Sequence, residues 1–191
     1  MKKIEITSAL LGDVALPLAG FLFWDWGFYF IALFFLFDLL FRTIFLKKRL
    51  TQLNELRGRN RILLKGFLFS FFEVVLIHCI VISTFSTINI GDSFMDFLTY
   101  KDMGIQQGIV LLPLLLFSEL MKIRNENKMG VPHVVRSQII INSQNVQRYR
   151  IVLWIVVYLF VLFLPVNELA LIIVFFLFFI AQPFLVFRNI K

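Results

Sequence analysis

Residues Gly27–Arg49, GFYFIALFFLFDLLFRTIFLKKR, decide the fold. From Gly27 to Leu46 the only charged side chains are Asp38 and Arg42, in a run dominated by Phe, Leu and Ile. About 20 residues at a rise of 1.5 Å cross a hydrocarbon core about 30 Å thick. Lys47, Lys48 and Arg49 then follow at once. An apolar run of helix length that stops on a cation cluster reads as a membrane span ending at the cytoplasmic headgroups.

Working outward, residues 8–24, 64–85, 104–121, 151–165 and 169–187 repeat the pattern. With 27–46 they predict an all-α polytopic membrane protein, six transmembrane helices in three hairpins forming one domain over 1–191. The charges between them alternate by side. Lys2 and Lys3, the loops 47–63 and 122–150, Lys65, Arg188 and Lys191 place 17 of the 19 basic residues on one side. Opposite lie Lys101 and the acids Asp25, Asp92, Asp96, Asp102 and Glu168. The positive-inside rule makes the basic side cytoplasmic and the topology N-in/C-in, expected in a prokaryotic inner (cytoplasmic) membrane.

Hydrophobic residues make up 60% of the 191, which leaves little for a water-soluble domain. The net charge of +7 lies close to the membrane edges, where it sets topology and attracts anionic headgroups. No nucleic-acid recognition element accompanies it, so membrane lipids rather than nucleic acid are the expected partners. Lys2 and Lys3 before an apolar run resemble a secretory signal, but Asp13 interrupts the run and no small-x-small cleavage site follows. The first segment is expected to be retained. Cys79 is the sole cysteine, and it sits within an apolar run as a buried residue would.

Trp24-Asp25-Trp26-Gly27 supplies the first outer turn, with two indoles expected at headgroup depth. Ser8, Gly12, Ala15 and Ala19 predict a small-residue helix face. Pro17 removes its own N–H and frees a carbonyl at Asp13. Residues 87–102 read as an external loop. In the second cytoplasmic loop, Val134, Val135, Ile139, Ile140 and Ile141 interleave with Arg136, Ser137 and Gln138. That pattern suits a helix on the membrane surface or a folded cap over the bundle.

Ionisable groups in lipid cost several kcal/mol unless paired or neutralised. The candidate intramembrane polar site therefore comprises Asp13, Asp38, Arg42, Glu73, His78 and Glu119. Asp13, Asp38 and Glu73 come from three helices at similar depth, about 9–14 Å from the cytoplasmic boundary by helical rise. Asp38 and Arg42 are i and i+4 and pair on one helix. Glu119 is expected to pair with Lys122 or Arg124. His78 lies five residues from Glu73, about 140° around the helix, so the two do not share a face. Neither metal-ligand spacing nor a phosphate-binding Gly loop occurs, and no cofactor is expected.

Pro17, Gly20 and Trp26, then Asp38, His78, Ser118, Asn125 and Met129-Gly130-Val131-Pro132 carry a further signal. In these marks the chain resembles an uncharacterised family of small bacterial and archaeal integral membrane proteins. The family pattern has Asn where this chain has Asp13 and His where it has Glu119. The resemblance implies topology and no activity.

Three functions remain open. The first is a non-enzymatic scaffold or subunit whose basic face meets anionic lipid, a membrane-protein partner or a second copy. The second is a proton- or cation-coupled transporter using Asp13, Asp38 and Glu73, with Pro17, Pro113 and Pro183 freeing carbonyls near the pathway. A lipid-modifying enzyme comes last, for want of a nucleophile or metal constellation.

Overall fold

The computed structural model describes residues 14–51, 58–85, 88–99, 107–128 and 132–187. Among these there are seven α-helices and no strand. They are α1 (Leu16–Phe23), α2 (Phe28–Thr51), α3 (Arg59–Thr84), α4 (Ile90–Thr99), α5 (Gln107–Lys128), α6 (His133–Phe163) and α7 (Glu168–Phe187). Four of them, α2, α3, α6 and Glu168–Val186 of α7, are long and apolar enough to cross a membrane.

Helix α2 is the hub, packing against α1, α3, α4, α5 and α7. Its almost unbroken apolar sequence follows from that position, since a helix enclosed by others has no polar face. Its partners instead bury one stripe each. Leu111, Leu115, Glu119 and Ile123 recur every fourth residue on α5, and all four are buried. On α7 the stripe is Leu171, Phe175, Phe179, Gln182 and Val186, and on α3 it is Gly66, Ser70, Glu73, Ile77 and Ile80. Phe67, Phe71, Phe72, Phe117, Phe160 and Phe163 point outward from their helices, as lipid-facing residues do.

Several expectations change. The 133–150 segment is not a separate surface helix. It continues into the fifth apolar stretch as one 31-residue helix, α6, about 46 Å long at 1.5 Å per residue. Its Ile140 packs with Leu50, flanked by Leu46, Ile62 and Leu63, in a small second core at the end of the bundle that carries Lys47, Lys48 and Arg49, closer to a cap than to a helix lying flat. The stretch read as an external loop contains α4, whose Phe97 stacks on Phe37 at 5.7 Å and meets Phe30 at 4.7 Å. Asp92 and Asp96 remain exposed on its far side.

The first hairpin packs differently from expectation too. Trp26 is only 3% exposed and joins Phe30 and Phe34 in the main core, so it is not an interfacial anchor. Of the expected small-residue face, Ser8 and Gly12 lie outside the described residues, and Ala15 is exposed. The buried positions are Val14, Pro17 and Gly20. Pro17 stands in the first turn of α1, which directly follows the π-helical Val14 and Ala15, and the carbonyl it was expected to free, at Asp13, lies outside the described residues.

Candidate functional site

The candidate residues fall into separate clusters. The deepest centres on Glu73 of α3, fully buried. Arg150 of α6 grips its carboxylate, Nη2 donating to Oε2 at 2.7 Å and Nε paired with Oε1. Trp154, one turn further along α6, donates its indole N–H to Oε1 at 3.2 Å. The guanidinium also donates through Nη1 to Gln182 Oε1 of α7 at 2.8 Å and lies 4.7 Å above the Phe35 ring of α2. Arg150 thus ties four helices. A planar cation with several donors and an aromatic-compatible face suits this place where a lysine would not.

Next to it a polar seam follows the α3–α6 contact toward the first residues of both helices. Gln147 Nε2 donates to Ser70 Oγ at 3.1 Å, and Ser70 shares a 2.7 Å hydrogen bond with Thr43 of α2. Gln144 Nε2 donates to the Ile62 carbonyl at 2.7 Å. Gly66 lets α2 and α3 converge, because an added Cβ would stand 2.7 Å from Leu46.

The second cluster joins α2 and α5. Arg42 Nε lies 2.7 Å from Asp38 Oδ2, the i,i+4 pair that the sequence predicts. Glu119, 1% exposed, accepts from Lys122 Nζ at 2.8 Å, as expected. It also faces Arg49 at 3.4 Å and Arg42 at 3.8 Å. Arg42, Arg49 and Lys122 against Asp38 and Glu119 make three cations to two anions.

His78 stands apart from Glu73, as the 140° offset requires. Its Nδ1–H donates to the Val74 carbonyl at 2.8 Å, and its Nε2 shares a 3.3 Å hydrogen bond with the Tyr29 hydroxyl. Asp13 lies outside the described residues. Among the described residues no group of three His, Cys, Asp or Glu is placed to hold a metal ion. Comparison with protein-family models, curated proteins and solved structures finds no match to this chain.

Arg150, Trp154 and Gln182 are the residues that sequence reasoning overlooked. Arg150 immediately precedes the apolar run at Ile151, so a hydropathy window assigns it to a loop. The available signal was register: Gln147, Arg150 and Trp154 repeat at three and four residues, matching Ser70 and Glu73 on α3.

Glu168, the first residue of α7, caps α2 by accepting the Phe28 backbone N–H at 2.7 Å. A Cβ on Gly27 would lie 2.8 Å from that carboxylate oxygen. Gly27→Ala is therefore expected to displace the cap and lower stability by about 1 kcal/mol. Glu168→Ala should cost the same, and the double variant no more than either. Additive losses in detergent-micelle unfolding would mean that Gly27 acts elsewhere.

Proposed function

We propose that this chain is a non-enzymatic integral membrane scaffold or subunit. It has six spans, counting 8–24 and 104–121, with both termini and the basic loops in the cytoplasm. Its inner face meets anionic lipid and a membrane-protein partner, a second copy included. Four helices of spanning length support the membrane reading, and the charge asymmetry of the loops, with the resemblance to small prokaryotic membrane proteins, favours this topology.

One observation carries the scaffold reading over the transporter. Glu73 and Glu119 are both buried and both held by cations, Glu73 across helices by Arg150 and Glu119 by Lys122 with Arg49 and Arg42 of α2. A carboxylate committed to a buried ion pair links helices, whereas a transport site needs water and freedom to exchange its ion.

Proteoliposomes loaded with a pH-sensitive dye test this. An imposed pH gradient or potential should decay no faster with the full chain than in empty vesicles. Accelerated decay that Glu73→Gln abolishes would replace the scaffold with the transporter.

A further inference from the structure

Hydrogen bonds between helices fix their relative heights at the cytoplasmic end. Around Gly66 the neighbours are Leu46 of α2 and Gln144 of α6, and one turn deeper Thr43, Ser70 and Gln147 meet. Measured from the Gly66 level at 1.5 Å per residue, Lys48 and Lys65 lie about 3 Å and 1.5 Å toward the cytoplasm, and Arg148 about 6 Å toward the membrane. On α5, Lys122 lies about one turn on the cytoplasmic side of Glu119, which reaches Arg42 and Arg49. Four helices thus carry a cation within a layer about 10 Å thick, comparable to a headgroup region. Lys48, Lys65 and Arg148 are exposed.

On each helix the exposed residues turn apolar within about one and a half turns on the membrane side of its own cation. They are Ile44 on α2, Phe67 on α3, Phe117 on α5 and Val152 on α6, each more than half exposed. Tyr149, 67% exposed beside Arg148, has the amphipathic ring that settles at such a boundary. On the other side most exposed residues are polar, among them Thr51, Asn60, Arg61, Gln138 and Ser143, with Leu64, Val134 and Ile141 as exposed apolar exceptions.

We infer that Lys48, Lys65 and Arg148, with Lys122, form a belt that binds anionic phospholipid headgroups of the inner leaflet, phosphate against cation and acyl chains against the apolar residues above. This rests on the membrane reading and its orientation. A belt carried on four helices, each turning apolar on the membrane side of its cation, matches a lipid leaflet. One protein partner would cover one patch and need no such coincidence.

The test uses the full chain in phosphatidylcholine vesicles with trace spin-labelled phosphatidylglycerol or spin-labelled phosphatidylcholine. The motionally restricted fraction of each label reports its relative association with the protein. The wild type should favour phosphatidylglycerol, and salt should weaken that preference. The double variant Lys65→Gln/Arg148→Gln should lose about fivefold or more of it, given the strength of a cation near an anionic surface. The charge-matched Arg59→Gln/Arg61→Gln, further into the cytoplasm, should keep most of it. Equal losses in the two variants would overturn the belt in favour of diffuse charge. A wild type without preference would overturn it too, leaving the cations to an acidic protein. If even phosphatidylcholine shows no restricted fraction, the membrane reading itself fails.

Discussion

Arg150→Met is expected to destabilise the protein by about 3–5 kcal/mol, the penalty for stranding one partner of a buried ion pair. Glu73 would keep only the Trp154 indole, a neutral donor, in a fully buried site. Glu73→Leu should cost a similar amount, because the guanidinium then retains Gln182 and the Phe35 face without a counter-charge. The double variant is the informative one. It strands only the Trp154 N–H and the Gln182 amide oxygen, neutral groups worth about 1–3 kcal/mol each when unsatisfied. It should therefore be no less stable than either single variant, a coupling of several kcal/mol where independent sites would add. Reversible unfolding in mixed micelles, followed by helical circular dichroism, reads all four corners of the cycle. Additive losses, or a single variant costing less than about 1 kcal/mol, would show that the pair is hydrated and contributes little.

That pair also marks how much could be read from sequence. The helical class and the apolar stretches behind α2, α3, α6 and α7 were legible because membrane-length hydrophobic runs are local signals. Asp38–Arg42 and Glu119–Lys122 were legible for the same reason, being four and three residues apart on one helix. Glu73–Arg150 was not. Its partners are 77 residues apart, and only the register of α3 against α6 brings them together. Hydropathy also assigned Arg150 to a loop, although a helix continues straight through the boundary when both sides favour it. The 133–150 segment has no Gly or Pro to stop α6, and that lack of a breaker outweighs the change in polarity. Trp26 was misplaced by a similar shortcut. Turn position and indole chemistry point to the headgroups, but its environment is decided by Gly20, six residues earlier in the chain.

Gly20 and Trp26 yield the other large expected effect. The Trp26 indole lies directly over Gly20, at the place a Cβ would occupy. The Gly20 carbonyl accepts the backbone N–H groups of Trp24 at 3.0 Å and Trp26 at 3.1 Å, so the turn closes on the residue that the ring covers. Trp26→Ala removes a buried ring from a cluster with Phe30 and Phe34 and should cost about 3–5 kcal/mol. Gly20→Ala forces that ring aside and should cost about 1–3 kcal/mol by overpacking. In a Trp26→Leu background the same Gly20→Ala change should cost clearly less, since the smaller side chain leaves room for a methyl group. Trp24, half-buried at the tip of the turn, supplies the control. Headgroup anchoring by both indoles predicts similar small losses for Trp24→Ala and Trp26→Ala, and indifference to Gly20. Packing of α1 onto α2 through one covered glycine predicts a large loss at Trp26, a small one at Trp24, and rescue between Gly20 and Trp26. Unfolding midpoints of these five variants decide between the two.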